Sequence, residues 1–176
     1  FTPFIAIAIM LDSRGPIFVR LPRVSKGTLI YVYKFRSMID GAHDLKYQYA
    51  NLNERTDGPF FKIKDDPRLT RVGKILRKFR IDEFPQLWNV VCDELSLVGP
   101  RPHEPEEVIF YPDQYRHIIT AKAGVTGLSQ VSGASSLPFM KELELDDQYL
   151  KQQSLGFDIK IIWKTISILF SDPSAI

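Results

Sequence analysis

An α+β fold is what the 176 residues predict, and three observations carry it. Two early segments rich in β-branched and aromatic residues flank a turn glycine, and amphipathic helical spacing dominates the rest. No repeat, low-complexity tract or Pro/Ser-rich linker divides the two regions. A composition of 44% hydrophobic and 25% charged residues suits one packed domain and excludes a disordered chain or a coiled coil. The expectation is a small strand region surrounded by amphipathic helices.

The first eleven residues, Phe1 to Leu11, are apolar. A transmembrane helix needs about 20 such residues and a signal peptide needs a basic leader and a cleavage site. The stretch fits the tail of a spanning or dipping membrane helix, or the first buried element of a soluble domain. Asp12-Ser-Arg-Gly-Pro16 ends it with turn-forming residues. Ile17 to Arg20 and Thr28 to Arg36 read as a hairpin, with Arg23 to Gly27 as the turn.

A polar helix is expected near Gly41 to Leu52, a loop through Gly58, and a short strand over Phe60 to Lys64. Asp66 then reads as an N-cap with Pro67 at the first helical position. This helix, to about Arg80, places Leu69, Val72, Ile75, Leu76 and Phe79 on one side and Arg68, Arg71, Lys74, Arg77 and Lys78 on the other. Such a basic amphipathic helix suits a membrane interface, a phosphate-binding cleft or plain core packing with a solvated face. A second helix is expected from Asp82, with Leu87, Trp88, Val90 and Val91 as its apolar face.

Leu95 to Val98 reads as a short buried segment, and Gly99-Pro-Arg-Pro102 as a rigid loop. The spacing predicts a helix from Glu104 to Thr120. Gly124 to Gly133 carries too many glycines for a regular element and reads as a shaped loop. Helical spacing returns over Lys141 to Leu150 and Asp158 to Phe170.

Charge is unevenly spread. The total is only +2. Residues 1–80, however, hold sixteen Lys and Arg against seven Asp and Glu, and residues 81–176 hold seven against fourteen. The basic half is a candidate surface for anionic ligands or lipid headgroups. The absence of a nucleic-acid motif and of a chain-wide basic excess argues against DNA or RNA. One cysteine, Cys92, excludes an intrachain disulfide and a Cys-based zinc site, and fits a reducing compartment. The three histidines share no close ligand spacing.

The adjacent carboxylates Asp82 and Glu83 follow the basic helix. Near cations and a helix N-terminus a carboxylate stays ionised, which suits a nucleophile or a magnesium ligand, and the same surroundings hold a diphosphate. Spacing alone equally allows Asp82 as an N-cap and Glu83 as a first-turn charge. Lys34 and Arg36 alternate with Tyr33 and Phe35, so a strand there shows its cations on one face or simply presents a solvated face. Arg101, fixed between two prolines, can grip phosphate bidentately or make a structural ion pair.

Four motifs in order, Tyr33 to Met38, Asp66 to Arg77, Ile81 to Val90 and Leu95 to Pro102, resemble the bacterial sugar transferases. From about Asp12 to the C-terminus the chain is similar to the catalytic domain of a monotopic polyprenyl-phosphate phosphoglycosyl transferase. The resemblance implies transfer of a sugar-1-phosphate from a nucleotide diphosphosugar, with uridine the expected nucleotide, to polyprenyl phosphate. Nucleoside monophosphate is released, and the product starts surface polysaccharide or glycan assembly.

Asp82 maps onto the family's nucleophile, which takes the phosphosugar covalently, and Glu83 onto its partner, the two holding Mg²⁺. Lys34, Arg36, Arg77 and Arg101 map onto substrate contacts, as does Gln130 in the glycine-bounded loop. The family often continues that loop with an arginine, where Ala134, Ser135 and Ser136 stand here. Residues 1–11 correspond to the second half of a membrane-dipping helix and 12–176 to the catalytic domain, on the cytoplasmic face of the bacterial inner membrane. Asn53 to Lys62 resembles larger members, which carry further helices and a domain upstream. The resemblance leaves room for an oligomer, and the rival expectation is a catalytically silent scaffold for glycan-assembly enzymes.

Overall fold

A computed structural model describes residues 2–133 and 136–171. Phe1, Ala134, Ser135, residues 172–176 and the side chains of Phe170 and Ser171 lie outside the described part. The fold mixes helix with two small sheets.

Helix α1 (Thr2–Asp12) leads into a hairpin of β1 (Phe18–Ser25) and β2 (Thr28–Phe35). Phe18 faces Phe35 and Ser25 faces Thr28, so the strands run on to Ser25 and only Lys26 and Gly27 form the loop. Both have positive φ, 53° and 68°. That is a type I′ turn, whose twist matches the strands it joins. Among the described residues no helix is long and apolar enough to cross a membrane.

After the hairpin the expectations are partly overturned. Residues 41–52 form turns and a 3₁₀ segment, Lys46–Leu52, in place of an α-helix, and 60–64 form no strand. The basic helix is shorter at both ends, as α2 (Arg71–Lys78). Its cap is Thr70, whose hydroxyl accepts from the Gly73 amide at 2.9 Å, because the Asp66 carboxylate is taken by Arg68 through both its amide and its guanidinium. Ile75 and Phe79 are exposed, while Leu76 packs with Ile9 and Phe35.

Helix α3 (Gln86–Val91) reverses the expected burial. Leu87, Trp88 and Val91 face outward, Trp88 with 60% of its surface exposed, whereas Gln86 and Asn89 are buried. Asn89 explains the reversal. Its amide oxygen accepts from the Tyr33 N–H, and its nitrogen donates to the Tyr31 carbonyl and Glu94, so it fastens α3 to the edge of β2. Left unpaired, the Tyr33 N–H and Tyr31 carbonyl at this strand edge would cost about 1–3 kcal/mol each.

Strand β3 (Ser96–Val98) follows, and the long helix expected over 104–120 is broken into α4 (Pro105–Val108), a 3₁₀ turn and α5 (His117–Thr120). Pro112 interrupts it, since the residue before a proline is pushed from helical geometry. The glycine-rich stretch is regular after all, as β4 (Gly124–Thr126) and α6 (Leu128–Ser132). β4 lies parallel to β3. A Cβ on Gly124 would stand 2.1 Å from the Gly99 nitrogen, so the glycines are there for backbone contact. The chain closes with α7 (Phe139–Gln152) and α8 (Leu155–Ser171), as the spacing predicts.

Candidate functional site

Asp82 sits on a 3₁₀ turn, Ile81–Glu83, between α2 and α3. The chain reaches that turn through Arg80, held in the left-handed region at φ 52°. A residue other than glycine there costs about 1 kcal/mol, and the reversal it makes carries Asp82 inward to 6% exposure. At the end of β2, Lys34 meets Glu83 Oε1 at 2.5 Å.

All seven residues that the sequence singles out line one cavity of about 730 Å³: Lys34, Arg36, Arg77, Asp82, Glu83, Arg101 and Gln130. Eleven Lys and Arg and seven Asp and Glu contribute to its wall, so the basic bias of the N-terminal half is gathered at this point. Three buried side-chain atoms find no hydrogen-bond partner among the described residues, namely Arg36 Nε, Gln130 Oε1 and Glu142 Oε2. Their residues all belong to the same wall, and buried orphans of this kind call for a specific explanation such as a ligand.

The acid pair is split by its surroundings. Burial pushes the Asp82 carboxyl above the usual range, and Glu83 adds to this while Lys34 and Arg77 oppose it. The ionised Asp82 that the sequence leads one to expect is thus opposed by burial and favoured by the Lys34 and Arg77 cations. Glu83 is held low, because the charge and hydrogen bond of Lys34, with Arg101 and Arg80, outweigh its burial. Arg77 is anchored by Nε, which donates to the Ser37 hydroxyl at 3.0 Å, and makes no ion pair among the described residues.

Arg101 is held from behind by α7. Its amide donates to Asp146 at 3.1 Å and its Nε lies 3.7 Å from Glu142. Glu142 is also 2.9 Å from His103 Nε2, and the Tyr111 hydroxyl is 3.0 Å from His103 Nδ1. This buried network was not foreseen. The available signal was the pair Glu142 and Asp146, four residues apart on a helix face otherwise apolar. Arg36 is placed differently from Arg101. It is buried and its guanidinium donates to the carbonyls of Ser13 and Arg14, so it holds the chain after α1. Gln130 donates to the Val125 carbonyl at 3.1 Å.

Burial pushes Asp146 up to about 6 from its ordinary value near 3.8, against the hydroxyl of Ser129. A carboxyl raised on folding stabilises the chain fully only below the unfolded value, and that contribution is lost as pH climbs through the folded one. Asp146→Asn should therefore gain on the wild type by about 3 kcal/mol between about pH 4 and 6, on top of a constant cost for the lost hydrogen bonds. Urea unfolding across that range reads it. A difference independent of pH would sink the prediction.

Among the described residues no three His, Cys, Asp or Glu side chains gather as a metal cage. Asp82 and Glu83 nevertheless fit Mg²⁺, which commonly binds through one or two carboxylates together with a substrate's phosphates.

An acid pair, one member buried, ringed by arginine and lysine is the equipment of an enzyme that handles phosphate. The chain belongs to the bacterial sugar transferase family, whose model matches residues 1–172. It is 40% identical over 163 residues to the galactosyl transferase CpsE of Streptococcus agalactiae serotype III (strain NEM316), covering 92% of this chain and 36% of that one. It is 40% identical over 165 residues to the undecaprenyl-phosphate galactose phosphotransferase of Salmonella typhimurium (strain LT2), covering 92% and 35%. It is 37% identical over 184 residues to the UDP-glucose:undecaprenyl-phosphate glucose-1-phosphate transferase of Escherichia coli (strain K12), covering 97% and 36%. The chain thus spans little more than a third of the length of these relatives.

Proposed function

We propose that the chain is the catalytic part of a phosphoglycosyl transferase. It moves a sugar-1-phosphate from a nucleotide diphosphosugar to polyprenyl phosphate and releases nucleoside monophosphate. The observation that carries this reading is the convergence of Lys34, Arg77, Arg101, Asp82 and Glu83 on one cavity. Uridine as the nucleotide follows the donor named for the Escherichia coli relative.

The Asp82 carboxylate attacks the phosphorus that bears the sugar, and the bond from that phosphorus to the nucleoside monophosphate breaks. The nucleotide departs, leaving the phosphosugar on Asp82. An oxygen of polyprenyl phosphate then attacks the same phosphorus and the Asp82 carboxylate is expelled. Two displacements replace one difficult transfer, and each uses the same cations. Lys34, Arg77 and Arg101 take the charge of the phosphates, Gln130 lies against the substrate, and Arg36 positions the wall. Glu83 and Asp82 would hold Mg²⁺, which supplies charge neutralisation at the diphosphate when bound.

Residues 1–11 act in this reading as the second half of a membrane-dipping helix. In support, Phe4, Ile7, Met10 and Leu11 of α1 are exposed. Residues 12–176 are the catalytic domain, on the cytoplasmic face of a bacterial inner membrane.

Nucleotide release from a panel of uridine diphosphosugars, with Mg²⁺ and polyprenyl phosphate, tests the proposal. Uridine monophosphate is the expected product and identifies the donor. Uridine diphosphate would mean ordinary glycosyl transfer, and metal-dependent donor binding without release would make the chain a silent scaffold.

A further inference from the structure

A second cavity, of about 220 Å³, lies beside the first and has the opposite character. Its wall is made by Phe84 and Leu87 next to the acid pair, Leu97 of β3, and Ile162, Ile166 and Leu169 of α8. Its two threonine hydroxyls, of Thr126 and Thr165, are satisfied by one another at 2.7 Å. Three residues belong to both cavities: Arg80, Glu83 and Val125. The polar cleft and the apolar groove therefore adjoin at the catalytic pair.

We infer that this groove holds the first isoprene units of the polyprenyl phosphate acceptor, while the phosphate of that acceptor reaches past Arg80 and Glu83 into the polar cleft. The inference rests on the phosphoglycosyl transferase reading and adds the place of the lipid tail. Two features favour this occupant over a bilayer surface or a second copy of the chain. The groove holds only about 220 Å³, which suits a single hydrocarbon chain better than a plane of lipid. Its wall shares a cation, Arg80, and the residue beside the nucleophile, Glu83, with the polar cleft, so an amphiphile seated in it has its charged end where the second displacement needs it.

The groove is open to solvent at its rim, where Leu97 and Ile166 are 50% and 42% exposed. Side chains so exposed tolerate substitution without loss of the fold. Leu97→Gln and Ile166→Gln, each in the full-length protein in detergent micelles, put an amide where the hydrocarbon would lie. The acceptors are dimethylallyl phosphate, with one isoprene unit, and farnesyl phosphate, with three. In the wild type the longer acceptor should have the higher kcat/KM by about tenfold or more, as apolar surface is buried. Both variants should reduce that gain to less than about threefold. The burst of nucleoside monophosphate from donor alone, one per Asp82, should be kept, which also reports that the variants are folded.

An unchanged gain with chain length, alongside an intact burst, overturns the groove and leaves the transferase reading standing. The same unchanged gain accompanied by lost nanodisc association would make this face a bilayer contact, and accompanied by a changed oligomeric state it would make it a contact between copies. Either result overturns the inference. A wild type that gives no burst removes the transferase reading and this inference with it.

Discussion

Asp82→Asn should release no measurable nucleoside monophosphate from a donor that the wild type turns over, a loss of about 10⁴-fold or more. The amide has the shape of the carboxyl but cannot form the acyl-phosphate bond. Mass spectrometry of the wild type quenched during turnover should show a phosphosugar on Asp82, absent from the variant. The structure adds a control. Burial already disfavours a charge at Asp82, so the neutral variant should fold at least as stably as the wild type. Lost activity with an unchanged or raised melting temperature is the expected pair of results. Retained monophosphate release would remove Asp82 from the chemistry.

Gly73→Ala should be among the most destabilising single substitutions in the molecule. On an isolated helix the change is favourable by about 1 kcal/mol, because glycine is a poor helix former. In the folded chain the added Cβ would lie 1.8 Å from the Ser37 carbonyl oxygen, a backbone atom that cannot turn away. The contact is built in from both sides, for the same Ser37 carbonyl accepts the Thr70 amide at 3.1 Å and the Ser37 hydroxyl anchors Arg77. Overpacking on that scale costs about 3 kcal/mol or more. Thermal unfolding would show it as a large fall in Tm. Activity should fall too, since α2 carries Arg77 and leads into Asp82. A melting temperature within a degree or two of the wild type would refute the close approach.

The sequence is most legible where local chemistry and tertiary demand agree. The hairpin follows from β-branched and aromatic runs around Lys26-Gly27, and α7 and α8 follow from their spacing. The site is legible for a different reason. Its residues lie in four motifs resembling one family, and the structure brings all seven to one cavity. Periodicity fails at α3 because it assumes that the apolar face turns inward, whereas Asn89 is needed to complete the edge of β2. It fails over 124–133 because the glycines there count against a regular element, when their service is to let β4 approach Gly99. The network behind Arg101 left only one trace in the sequence, the pair Glu142 and Asp146 on an apolar helix face, because its partners His103 and Ser129 come from distant segments.

Helix α1 is clamped twice. The Asp12 carboxylate accepts the Val72 amide at 2.8 Å in the first turn of α2, and Arg36, just beyond β2, grips the carbonyls of Ser13 and Arg14. One clamp lies on the helix that ends beside Asp82, the other past the strand that ends beside Lys34. A change in the tilt of α1 is therefore not absorbed in a loose connection. The arrangement is a lever, with residues 12–15 as the fulcrum, the apolar helix as one arm, and the spacing of Asp82 and Lys34 as the load on the other.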